Sequence, residues 1–88
     1  MSSKQEIRTA SAPPPVGTYS QAIRDGNRVY ISGQVGMDPK TSKLVSDGFE
    51  AQADQAFSNL RAVADASGVS LDAAVKVNIF ITDVNNFA

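Results

Sequence analysis

The side chains able to do chemistry in this chain are hydroxyls, amides and carboxylates, because the sequence holds no histidine and no cysteine. That removes the commonest general base, the thiolate nucleophile and the usual soft metal ligands. The most informative stretch is Tyr30-Ile31-Ser32-Gly33-Gln34-Val35-Gly36, where an alternating apolar strand runs into a small, flexible segment. Glycine there lets backbone approach a ligand closely. Ser32 brings a hydroxyl and Gln34 an amide. Read locally, each residue also has a plainer role. Ser32 is a strand-end hydroxyl satisfying backbone, Gly33 and Gly36 are hinges or bulges, Gln34 bonds the sheet or a neighbouring subunit, and Tyr19 is edge packing.

The elements that must position these residues follow from pattern. Ile7 to Thr9 reads as a short strand, and Ala12-Pro13-Pro14-Pro15 as an extended spacer with locked φ angles. Tyr19 to Arg24 and Arg28 to Ser32 flank Asp25-Gly26-Asn27, a strong signal for an antiparallel hairpin. Asp38 to Lys43 is turn chemistry, after which Asp47 and Glu50 have the spacing of a capping box. Phe49, Ala53, Ala56, Phe57, Leu60, Val63 and Ala64 then share one helical face, and Gly68 supplies a helix end. Gln52 and Asn59 on that helix read as bonding neighbouring backbone. Val75, Val77, Ile79 and Ile81 alternate with Lys76, Asn78, Phe80 and Thr82, predicting a final core strand. Thr82-Asp83 looks like an N-cap for a helix that barely begins.

A chain of 88 residues predicts one domain over 1–88, and at this size only about 60 to 65% of the unfolded surface is buried, so the core is thin. The formal charge is −1 and the eight Lys and Arg are scattered, which disfavours nucleic acid as a partner. The N-terminal residues lack the apolar core of a secretory signal, and no run approaches the roughly 18 apolar residues of a membrane helix. A cytosolic protein fits. One helix on three or four strands covers one sheet face at most, so the face carrying Phe80 predicts oligomerisation or further sequence. The unfinished final helix makes the chain read as a fragment.

Five pieces fall in register along nearly the whole chain: Gly17-Thr18-Tyr19-Ser20-Gln21-Ala22, Ser32-Gly33-Gln34, Asp38-Pro39-Lys40-Thr41, Gln52 with Asn59, and Val75-Lys76-Val77 through Phe80-Ile81-Thr82-Asp83. Together they resemble the reactive intermediate deaminase family, RidA or YjgF, also known as the endoribonuclease L-PSP family. The resemblance implies a chorismate-mutase-like α+β fold, a mixed sheet with a helix packed on one face, here lacking the family's C-terminal third. It implies a homotrimer with ligand clefts between subunits. It also implies hydrolysis of 2-imino acids, 2-iminobutanoate and 2-iminopropanoate, to 2-oxo acids and ammonia with no cofactor and no metal. On the positions that match, Tyr19 and Ser32 become the catalytic candidates. The Tyr19 ring would border the cleft, Ser32 would hydrogen-bond the ligand or its water, and Gly33 and Gln34 would join them in binding substrate. Thr18 stands where the family carries proline. The family's carboxylate-binding arginine and water-assisting acid belong to the last third and have no counterpart here. Of the four arginines present, Arg24 and Arg28 flank the hairpin and read as solvated charge.

Three function classes stay open on this reading: the imine deaminase, a non-catalytic ligand-binding or chaperone-like relative, and a ribonuclease that inhibits translation. A protonated imine is already electrophilic, so water attack needs orientation more than a powerful nucleophile. The acidic balance and the missing histidine weigh against the ribonuclease.

Overall fold

Asp25-Gly26-Asn27 closes the hairpin that its residue types predict. In the computed structural model, which describes residues 4–87, strand β2 (Ala22–Asp25) turns through Gly26 at φ +64° into strand β3 (Arg28–Ile31). A positive φ at the first loop position is what glycine adopts without strain. Strand β1 (Lys4–Ile7) adds to the other side of β2, giving a three-stranded antiparallel sheet in the order β1-β2-β3. The first strand lies earlier than Ile7 to Thr9, because the chain turns at Ala10 and Ser11.

The register sets the faces. Ile7 stands opposite Ala22 and Ala22 opposite Ile31, while Arg24 faces Val29 across the hairpin. Side chains alternate along a strand, so these residues share the face that meets helix α1 (Phe49–Ala66). Ile7, Ala12, Ala22 and Val63 form the buried core, with Val29, Ile31 and Ala62 packed on it. Ile23, Tyr30 and Glu6 take the opposite face, which no second layer covers among the described residues.

The helix begins and ends differently from its sequence signals. Asp47 and Glu50 do not form the capping box that their spacing predicts: Gly48 is the N-cap, and no side chain caps it. Glycine at that place puts Asp47 one residue outside the position from which a side chain reaches the first helical N–H groups. Ser46 serves instead, its Oγ accepting from the Gly48 N–H at 2.9 Å and its carbonyl from Gln52 Nε2 at 2.7 Å. At the other end Gly68, at φ +76°, makes the exit expected of it. Its N–H donates to the Asp65 carbonyl and that of Val69 to the Ala64 carbonyl, both at 3.0 Å, which is the Schellman arrangement. The Arg24 guanidinium donates to the Ser67 carbonyl at this terminus, so Arg24 is a tether rather than the solvated charge read from the sequence. A cation there also complements the helix dipole.

Val75 to Ile81 is the largest departure. The run expected as a core strand belongs to no sheet, no backbone hydrogen bond holds it among the described residues, and Phe80 is 93% exposed. Among the described residues the sheet is therefore antiparallel rather than mixed. Alternation makes a strand only where a neighbour satisfies the N–H and C=O groups, and none lies beside this run. The N-cap reading of Asp83 holds: its Oδ1 accepts from the Asn85 N–H at 3.0 Å and starts a single turn over Val84–Asn86. No helix of the described residues is long and apolar enough to cross a membrane.

Candidate functional site

A buried amide organises the start of the site. Gln21 is 2% exposed, and its Oε1 accepts from the Thr9 N–H at 2.7 Å while its Nε2 donates to the carbonyls of Pro13 at 2.8 Å and Thr9 at 3.1 Å. These bonds fasten the proline-bearing segment to the beginning of β2 and fix the arc through Gly17, which turns at φ +108°. Tyr19 leaves that arc with its side chain about half in solvent. Its phenol makes no hydrogen bond among the described residues.

Ser32 meets this arc from the end of β3. Its N–H donates to the Gln21 carbonyl at 3.0 Å and its hydroxyl to the carbonyl of Ser20. Tyr19 precedes Ser20, so two of the sequence candidates come to the same edge of the hairpin. The hydroxyl proton of Ser32 is committed to backbone, as the plain reading of a strand-end serine predicts, and its oxygen remains an acceptor. Ser20 in turn donates to Glu6 Oε2 at 2.9 Å, and Glu6 pairs with Arg8 at 3.4 Å on the surface.

Gly33 follows with open space where a side chain would be: a Cβ there meets nothing within 4 Å. Gln34 is half-buried. The segment is then caught by the helix. Asn59, fully buried, donates from Nδ2 to the carbonyls of Val35 at 3.0 Å and Met37 at 2.9 Å, and its Oδ1 accepts from Gln55 Nε2 at 2.9 Å. Gly36 lies against the helix backbone so closely that an added Cβ would be 2.5 Å from Gln52 Cα. Gly36 is thus a close-approach glycine rather than a free hinge. Gly33 and Gln34 span two fixed points, Ser32 on the sheet and residues 35–37 on the helix.

Gln21, Gly36 and Asn59 hold this geometry; Asn59, like Gln52, bonds backbone as read from the sequence, whereas Gln21 and Gly36 were not singled out for this part. Asn59 left a signal, since it lies three residues after Ala56 and four before Val63, inside the apolar stripe. A polar residue there must find buried partners. The depression lined by Arg8, Thr9, Ala10, Pro14, Pro15 and Gln21 does not include Tyr19 or Ser32, so the site is an open edge. The described residues contain no group of three or more acidic, histidine or cysteine side chains placed to hold a metal.

A helix on one face of an antiparallel sheet, with a hydroxyl, a phenol and bare glycine backbone at one edge, defines an α+β protein that presents hydrogen-bonding groups rather than a nucleophile. The chain belongs to the family described as Endoribonuclease L-PSP, whose model matches residues 9–88. It is 49% identical over 87 residues to a 2-iminobutanoate/2-iminopropanoate deaminase of Dermatophagoides farinae, an alignment covering 99% of this chain and 68% of that protein. Among solved structures it resembles RidA from the Antarctic bacterium Psychrobacter sp. PAMC 21119 at 56% identity and a TM-score of 0.73, over 77% of this chain and 55% of that one. It also resembles YyfA, a conserved Rid-family protein of Yersinia pestis, at 41% identity and a TM-score of 0.92, over 97% of this chain and 68% of that one. The fold is RidA-like, as the five motifs imply, and the chain spans about two thirds of the length of its curated relatives.

Proposed function

We propose that Tyr19, Ser32, Gly33 and Gln34 form part of a site for a small 2-imino acid, which is hydrolysed there to the 2-oxo acid and ammonia. The observation that carries this reading is the state of Ser32. Its proton is spent on the Ser20 carbonyl, which leaves its oxygen as an acceptor, and its neighbours along the chain are the exposed Tyr19, one residue before Ser20, and the uncovered backbone of Gly33. An acceptor suits the N–H of a protonated imine or a hydrogen of the attacking water. The name of the Dermatophagoides farinae relative supplies the substrate class.

In this reading water adds to C2 of the protonated imine and passes one of its protons to the nitrogen; the C–N bond of the resulting protonated carbinolamine then breaks as the hydroxyl oxygen forms the C=O bond, and the remaining proton goes to the released ammonia. Ser32 orients the iminium or the water, and Tyr19 donates to a developing oxygen. Holding the reactants in place contributes several kcal/mol. A substrate carboxylate prefers a bidentate cation, and Arg24 is already engaged at the helix end, so in this reading another residue supplies that cation. We place that assembly in the cytosol as a trimer whose subunit boundaries wall the open edge.

The test generates 2-iminobutanoate in situ with a threonine dehydratase and traps the residual imine with semicarbazide. Acceleration by this chain, lost in Ser32→Ala and reduced in Tyr19→Phe, supports the reading. Equal acceleration by both variants removes these residues from the site. A second reading, binding of a 2-oxo acid without turnover, rests on the lack of any carboxylate hydrogen-bonded to Ser32 or Tyr19 among the described residues. Saturable 2-oxobutanoate binding with no acceleration selects it.

A further inference from the structure

The sequence contains two Asp-Gly pairs, Asp25-Gly26 and Asp47-Gly48, and the fold treats them oppositely. Glycine after aspartate leaves no Cβ to shield the following peptide nitrogen, so the side-chain carboxyl can close on it. A bond forms between the glycine nitrogen and the aspartate Cγ as the amide hydrogen and the carboxyl hydroxyl leave together as water. Water then adds to one carbonyl of this succinimide ring and breaks its bond to nitrogen. Opening at the γ carbonyl restores aspartate. Opening at the α carbonyl leaves isoaspartate, in which the main chain runs through the side-chain methylene and the α-carboxylate hangs free. Nothing is oxidised or reduced, and water is the co-reactant.

Closure requires the aspartate Cα–C bond to turn until Cβ and the glycine nitrogen eclipse, far from the extended conformation of a strand. Asp25 is the last residue of the central strand β2, in register with Lys4 on one side and Arg28 on the other, and Gly26 at φ +64° is committed to the hairpin turn. Turning there means opening the sheet. Asp47 is placed otherwise. Residues 40–51 are all exposed and Asp47 belongs to no strand or helix. Neither its side chain nor its backbone makes a hydrogen bond among the described residues. Turning at Asp47 costs the bond from the Gly48 N–H to Ser46 Oγ and leaves the sheet untouched.

We propose that Asp47-Gly48 is a site of spontaneous isoaspartate formation in the folded chain, and that the hairpin protects Asp25-Gly26 from the same reaction. The product keeps one carboxylate, so the net charge is unchanged. It lengthens the main chain by one methylene immediately before α1. The Ser46 carbonyl holds Gln52 Nε2 from the other side of this peptide, so the change lands on the clasp that fastens the loop to the first turn of the helix.

The experiment ages the intact chain at physiological temperature and neutral pH, then digests it and compares the peptides carrying the two pairs. Isoaspartate is read by electron-transfer fragmentation and by methyl transfer from S-adenosylmethionine with an isoaspartyl methyltransferase, which esterifies the free α-carboxylate. Residue 47 is expected to convert at least about tenfold faster than residue 25, because the paired strand must open first. In urea that unfolds the chain the two rates should converge, since glycine follows both aspartates. Asp47→Glu, which keeps the charge but needs a six-membered ring, should abolish the signal at this position. Gly48→Ala should slow it, and the variant folds, because its Cβ meets Ser46 Oγ at an ordinary 3.4 Å. The proposal is overturned if residue 47 stays unmodified in the folded chain or if residue 25 converts as fast. It is equally overturned if the same preference persists in urea, which assigns it to flanking residues rather than to the fold.

Discussion

Residues 9–37 and residues 74–83 are both rich in apolar side chains, yet only the first region is held. In the first, Gln21 and Asn59 tie loop carbonyls to strand and helix, and Gly36 seats the chain against α1. In the second, Val75, Val77 and Ile79 alternate as well as any strand and stay in solvent, as does Phe80 on the other face. The difference teaches that periodicity states which face would be buried, whereas partners for the backbone decide whether burial happens.

The comparison can be broken by substitution, and Gly36→Ala is expected to act most strongly. A methyl group placed 2.5 Å from Gln52 Cα must push helix and loop apart, at a cost of about 3 kcal/mol, read as a lower denaturation midpoint in urea. Gln21→Leu comes next. It strips the Thr9 N–H and the Pro13 carbonyl of their partner, and a buried group left unsatisfied costs ~2 kcal/mol. Ser32→Ala removes one hydrogen bond to the Ser20 carbonyl, worth about 1 kcal/mol in stability, and under the proposed function is expected to abolish acceleration of imine hydrolysis. Val77→Asp should change stability by less than about 0.5 kcal/mol, the usual range for exposed positions. If Val77→Asp proves as costly as Gln21→Leu, the second region is packed in solution and the contrast fails.

Elements with local causes were legible in the sequence. The hairpin follows from Asp25-Gly26-Asn27, and the helix from its apolar repeat and from Gly68, because each signal and its effect lie within a few residues. That Ser32 is bonded to the residues just after Tyr19 was not legible from local pattern, since those bonds run between Ser32 and residues 20 and 21. What was not legible depends on contacts between distant parts. Arg24 reaches Ser67, and although Asn59 read as bonding backbone, no local pattern announces that its partner is Val35. The capping box failed for a smaller reason: Asp47 and Glu50 have the correct spacing, but Gly48 begins the helix.

The two attachments of α1 bear on motion. Arg24 grips the last turn from β2, while the segment after β3 is held to the middle of the helix by Asn59 and to its first turn at Gly36. A rod fastened near both ends to successive strands of one hairpin can neither roll about its axis nor slide along it without breaking a fastening. The Gly33-Gln34 bridge consequently has little slack of its own, and a ligand that displaces it must drag the whole brace.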